Sequence, residues 1–356
     1  MIQSIIVHAT THPRPHAPES ELGFGRTFTD HMFVMEHSKQ QGWHNPRIEP
    51  YGTLTLDPAA AVFHYGQAMF EGFKAFRAAD GRVLLFRPDR HCHRMSEGAK
   101  RLCMPSMDPG FMQHAITELV KRDRAWVPSS PGTSLYIRPT LIAHEPFLGV
   151  RPSDRYLFFV ILSPVGAYYS EGMAPVKIWV ERDFVRAAHG GLGAVKAGAN
   201  YAASLLAADE AKKRGYSQVL WLDAHDHKYL EEVGVMNLFV LIGDELVTPA
   251  LEGSILSGVT RDSVITLARE WGMKVSERRI AIDELIEAQK KGTLREVFGC
   301  GTASVISPVG ELAWDGTRMS INEGRIGPVA QKLYDTISQI QRGVLADRHG
   351  WVVDVG

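Results

Sequence analysis

The chain has 356 residues, of which 45% are hydrophobic and 22% charged. That is ordinary for a globular protein and leaves room for two domains, each with its own core. Its 39 Lys and Arg nearly balance its 40 Asp and Glu, so no charge excess draws it to nucleic acid or an anionic membrane. Cys92, Cys103 and Cys300 are widely spaced and form no C-x-x-C, which argues against a disulfide framework and fits a reducing compartment. The first twenty residues lack a basic start with a long apolar run. No run approaches the roughly 20 apolar residues of a membrane span. The expected location is therefore the cytoplasm, with no membrane or nucleic-acid partner.

Along the chain, Thr11–Ser20 carries Pro13, Pro15 and Pro18 and reads as an extended arm. Strands and helices then alternate as far as about Leu162. "RVLLF" (82–86) reads as a strand, and "RPDRHCHRMSEGAKRL" as a helix with Pro88 near its start. "GFMQHAITELVKRDRAWVP" reads as an amphipathic helix ended by Pro128, and "SLYIRPTLI" and "YLFFVILS" as strands. "SPVGAYYSEGMAP" (163–175) interrupts the pattern and sets the expected domain boundary. Beyond it "VKIWVER" reads as a strand, and "NYAASLLAADEAKKRG" as a helix stopped by Gly215. "QVLWLD" and "MNLFVLIG" are strands, "SGVTRDSVITLAREWG" and "IDELIEAQKKG" helices, and "KVSERRI" alternates like a strand. "LREVFGCGTASVISPV" is a strand breaking into a glycine turn, and "GPVAQKLYDTISQIQRG" the last helix. The class is mixed α/β. The expected organisation is a small N-terminal domain (1–162), a connection (163–175) and a large C-terminal domain (176–356).

Three stretches carry chemistry. In "GLGAVKAGANY" (191–201) Lys196 stands alone among small residues. Burial there would lower its pKa from roughly 10.4 and let the amine attack a carbonyl; the plainer reading is a surface lysine on a flexible loop. The stretch fails the G-x-G-x-x-G dinucleotide fingerprint because lysine holds the last position. Phosphate could instead meet the helix start after Gly258 in "ILSGVTRDS", or the turn Gly299-x-Gly301-Thr302 in "VFGCGTAS". Either, taken singly, also fits a cap or a tight turn. In "YLEEVGVMNLFV" Glu231 and Glu232 precede an apolar strand, so one carboxylate is expected to face inward toward a cationic or N–H partner. Lysine, phosphate cradle and inward carboxylate together describe a pyridoxal phosphate site. No metal site is expected.

These stretches, with "YGQAMFEGFKAFR", "LFRPDRHCHRM", "SLYIRPTLI", "EPFLGV", "VKAGANYAASL", "QVLWLD", "EEVGVMNLF", "ILSGVTRDS" and "VFGCGTAS", stand in the order found in the branched-chain amino acid aminotransferases of pyridoxal phosphate fold type IV, which the chain resembles over most of its length. The resemblance implies a cofactor site at the interface of two domains. Lys196 would bond the cofactor and shuttle a proton. Glu232 would hold the pyridine nitrogen and Tyr201 the ring oxygen. Arg94, Val259, Thr260 and Thr302 would hold the phosphate. Thr302 and Ala303 would meet the substrate carboxylate, while Phe24, Tyr65, Phe70 and Tyr136 would line an aromatic pocket with Arg138 nearby. Leu148 and Val150 would reach the pocket of a partner subunit in a homodimer. The implied reaction moves the amino group of leucine, isoleucine or valine to 2-oxoglutarate. Ser304-Val305-Ile306-Ser307 stands where some members carry C-x-x-C, so no redox switch is expected there. Cys103 and Cys300 are expected to be buried and inert. A D-amino-acid aminotransferase or aminodeoxychorismate lyase shares the lysine–glutamate logic; a non-catalytic binder and a nicotinamide dehydrogenase are the readings from other classes.

Overall fold

A computed structural model describes residues 4–166 and 173–356. It divides into one unit of Met1–Tyr168, Lys196–Gly198 and Gln339–Gly356, and another of Tyr169–Val195 and Ala199–Ser338.

The apolar runs of the first unit pair into a nine-stranded sheet. Its order is Ile6–Val7, Gly42–Pro50, His31–Ser38, Arg155–Val165, Ser134–Ala143, Phe73–Arg77, Val83–Phe86 and Val352–Asp354, with Ala68–Phe70 also on Ser134–Ala143. Helix Pro88–Arg101 begins with its proline at the first turn, where the missing N–H has no intrahelical partner to lose. Helix Pro109–Arg122 is capped by Asp108, which accepts the Phe111 N–H at 2.7 Å. This helix ends before the expected stop at Pro128. The reason lies outside it: the Asp123 carboxylate accepts the His31 backbone N–H at 3.0 Å and lies 2.6 Å from His31 Nδ1. Only a 3-10 turn, Arg124–Trp126, follows.

In the second unit the strands Leu230–Val233, Gln218–Leu222, Val176–Val180, Val305–Trp314, Leu294–Gly301 and Met236–Ile242 run in that order, and the last pairs back to the first. These six strands therefore close into a ring, and Glu245–Thr248, Lys274–Glu277 and Thr317–Ser320 extend the sheet beyond it. Ile178, Leu220, Leu238, Val240 and Leu312 are buried in its core. Helices Gly198–Lys213, Val259–Glu270, Ile282–Lys290 and Pro328–Gln341 follow the expected runs.

Two expectations about the division need correction. The C-terminal residues leave the second unit: Gln339–Gly356 belong to the first, because Val352–Asp354 pairs with Leu84–Phe86. The first unit is consequently not the smaller one. The connection expected at 163–175 falls partly on residues 167–172, which lie outside the described residues. Among the described residues no helix is long and apolar enough to cross a membrane.

Candidate active site

One break in the first sheet organises its candidate residues. Ala68–Phe70 pairs with Thr140–Ile142, and Phe73–Ala75 with Leu135–Ile137. Opposite the gap stands Pro139, which has no N–H for a ladder bond; its carbonyl accepts the Glu71 N–H at 2.8 Å. Gly72 fills the gap because a Cβ there would lie 1.9 Å from Tyr136 Oη. The short strand also carries Lys196: Met69 bridges to Ala197, and the Phe70 N–H donates to the Lys196 carbonyl at 3.1 Å.

Around this break several expected residues meet. Lys196 is half-buried, with Nζ 4.9 Å from the Phe70 ring centroid. The Arg138 guanidinium lies 4.5 Å from the same ring, and its Nη2 donates to Tyr136 Oη at 3.0 Å. Phe24 and Tyr136 rings are 5.0 Å apart. One turn of helix Pro88–Arg101 places His91 and Arg94 on the same side. Arg94 grips Glu71 with Nε at 2.7 Å and Nη2 at 2.9 Å, and His91 Nδ1 lies 3.0 Å from the same carboxylate. Packing lowers the Lys196 pKa through desolvation first and then through Arg94, with Glu71 opposing. Burial alone would raise the Glu71 carboxyl; Arg94 and His91 outweigh it and hold the group well below the usual carboxylate range.

In the second unit both adjacent carboxylates are buried, where one was expected to turn inward. Glu231 accepts from Ser254 Oγ, and desolvation raises its pKa. Glu232 Oε1 takes the Leu256 N–H at 2.9 Å and Arg186 Nη2 at 3.1 Å. Arg186 also donates to the carbonyls of Gly193 and Ser254, at 3.0 and 2.5 Å. Here lies the need for glycine at 193: a Cβ would meet the Ser254 carbonyl oxygen at 2.0 Å. Asn200 Nδ2 ties the same turn through the carbonyls of Leu192 and Val195, each at 2.8 Å. Tyr201, Glu232 and Leu256 line one recess. A larger one, about 460 Å³, is lined elsewhere by Asp223, Tyr229, Glu231 and Arg279.

Val259 and Thr260 open helix Val259–Glu270, whose cap residue Gly258 has no side chain to offer. A Cβ at 258 would lie 1.9 Å from Asn237 Oδ1, so the helix start is glycine by necessity. Thr302 and Ala303 occupy the half-buried turn before Val305, whose φ of +62° is unusual for a β-branched residue. Tyr65, Leu148 and Val150 are exposed by 42%, 68% and 89%. Cys92 and Cys300 are buried, and burial pushes both thiols up. Cys103 is exposed, against expectation. It follows helix Pro88–Arg101 with φ of +52°, and that turn engages its backbone, whose carbonyl accepts from Tyr156 Oη at 3.1 Å.

Residues 68–312 match the amino-transferase class IV family. The chain belongs to the class IV aminotransferases. Branched-chain-amino-acid aminotransferase 2 of Bacillus subtilis is 54% identical over 99% of this chain and 97% of its own. The branched-chain-amino-acid aminotransferase of Mycobacterium tuberculosis is 47% identical over 94% and 93%. Among solved structures, the Escherichia coli branched-chain amino acid aminotransferase superposes with a TM-score of 0.76 at 28% identity, covering 91% of this chain and 99% of that one. The T.th. branched-chain amino acid aminotransferase with pyridoxamine 5'-phosphate gives the same score and identity over 91% and 98%.

Sequence reasoning about this aminotransferase passed over Glu71, His91 and Arg186. Glu71 was legible only as an acid after an apolar residue and before a glycine, and Arg186 as a cation ten residues before Lys196. Their roles depend on partners that no local pattern names.

Proposed function

We propose that this chain transfers the amino group of L-leucine, L-isoleucine and L-valine to 2-oxoglutarate, with pyridoxal 5'-phosphate as cofactor. The observation that carries the reading is Lys196, half-buried against Phe70 with its pKa lowered by desolvation and Arg94, in a chain of this family. The residues fit the cofactor chemically. A lysine with a lowered pKa suits an aldehyde, a guanidinium suits phosphate oxygens, and the glycine-capped start of a 12-residue helix suits an anion. Arg94, Val259, Thr260 and Thr302 would hold the phosphate, Tyr201 the ring oxygen and Glu232 the ring nitrogen. When bound, the cofactor supplies an electron sink for the substrate Cα. Lys196 Nζ would take the Cα proton from the amino donor and, in the second half-reaction, deliver one to the Cα of the forming glutamate, a task for which a lowered pKa fits it. Thr302 and Ala303 would orient the α-carboxylate. Phe24, Phe70, Tyr136 and Tyr65 would take the aliphatic side chain and keep water from it. Arg138, set between Phe70 and Tyr136, would receive the second carboxylate of 2-oxoglutarate. The exposure of Leu148 and Val150 supports their meeting a partner subunit in a homodimer. A connection at 163–175 and a cytoplasmic location belong to the same reading.

The test is the absorbance spectrum of the purified protein. A cofactor band should bleach with L-leucine and return with 2-oxoglutarate. Lys196→Ala should lower transamination by more than about 10³-fold with its thermal unfolding intact. A band that ignores L-leucine but bleaches with D-alanine would move the activity to D-amino acids. No band after adding pyridoxal phosphate would sink the reading.

A further inference from the structure

Glu71 is 1% exposed, beside the expected phosphate ligand Arg94. Its carboxylate accepts Arg94 Nε at 2.7 Å, Arg94 Nη2 at 2.9 Å and the Gly72 N–H at 3.1 Å, with His91 Nδ1 at 3.0 Å. His91 is fixed in turn, stacked on Phe73 with centroids 4.9 Å apart and planes at 14°. The grip uses one edge of the guanidinium and turns its Nη1 end away from Glu71. A planar fork held by two charge-assisted bonds cannot swing without breaking both. The arginine is thereby ordered before any anion arrives, and the entropy of ordering it is not charged against binding. An arginine free to rotate would lose that advantage and could fold back over Lys196, whose charge it already influences.

We propose that Glu71 is a positioning residue for a phosphomonoester: it aims Arg94 at the cofactor's phosphate. This rests on the reading of Arg94 as a phosphate ligand. The full-length protein is stripped of cofactor and titrated with pyridoxal 5'-phosphate and with pyridoxal, which lacks the phosphate; absorbance reports binding. Glu71→Gln keeps the shape but removes the charge. It should weaken pyridoxal phosphate by about tenfold or more and leave pyridoxal within about twofold. It should also blunt competition by inorganic phosphate. Glu71→Asp retains the charge on a shorter arm and should restore part of the loss. If Glu71→Gln does not fold, the same comparison on Glu71→Asp carries the test, with a smaller selective loss expected. Equal weakening of both ligands, or of neither, overturns the inference. Arg94→Gln separates the two levels. If its ratio of the two affinities matches wild type, the assignment of Arg94 to phosphate has failed. If that ratio shifts while the Glu71 variants keep the wild-type value, Arg94 stands and Glu71 does not position it.

Discussion

Lys196 shows how little a side chain's identity says about its chemistry. Its pKa falls because desolvation penalises the ammonium and Arg94 adds a second positive charge. Glu71, 125 positions earlier in the chain, acts the other way. Arg138 is fixed differently, by a hydrogen bond to Tyr136 and the face of Phe70. Its Nε is buried without a hydrogen-bond partner among the described residues. In the proposed reaction this guanidinium distinguishes the acidic substrate from the aliphatic one. Arg138→Ala should raise KM for 2-oxoglutarate by about tenfold or more, the worth of one charged hydrogen bond, and change KM for L-leucine much less. Steady-state kinetics with each substrate varied in turn checks this; unchanged 2-oxoglutarate kinetics would remove Arg138 from the role.

At the scale of an element, the turn after strand Gln218–Leu222 hangs on one carboxylate. Asp223 Oδ1 accepts the N–H groups of Lys228 and Tyr229 at 2.9 and 2.7 Å, and Oδ2 those of His225 and Asp226 at 3.2 and 2.8 Å. Burial would raise its pKa, but these backbone donors outweigh that and lower it from 3.8 to about 2. Between those values the unfolded chain binds more protons than the native one, so stability is lost as pH falls through the window and is fully present above it. This linkage is worth about 2 kcal/mol. Asp223→Ala should therefore unfold at lower urea at pH 7, with the deficit shrinking toward pH 2. A deficit independent of pH would mean the turn is held by something else. The broken strand obeys a similar local logic. Pro139 removes a donor and Gly72 makes room for Tyr136, so the gap is legible in residue types once the pairing is known.

For the whole molecule, the return of the C-terminus matters most. Trp351 is 7% exposed; its carbonyl accepts the Arg87 N–H at 2.6 Å, and the Arg87 guanidinium lies 4.9 Å from its ring. Val352–Asp354 then completes the edge of the first sheet. Trp351→Ala should destabilise this unit by about 3–5 kcal/mol. Thermal unfolding should show the loss, with the second unit's transition unmoved if the two melt separately. An unchanged melting profile would show that the return adds nothing to the first unit.

The sequence by itself determined most of the strands and helices, because alternation, apolar runs, prolines at helix starts and glycines at helix ends are local properties. It also determined the motif order that places the chain among the class IV aminotransferases. Tertiary structure alone decided which charges meet. Glu71 and Arg94 are 23 positions apart and Arg186 and Glu232 are 46 apart, and no periodicity links such pairs. It decided too that both Glu231 and Glu232 are buried, that Asp123 ends its helix by serving His31, and that the last strand joins the first sheet. Each of these outcomes depends on where a distant partner lies, and burial and pairing are set by the folded neighbourhood rather than by adjacent residues.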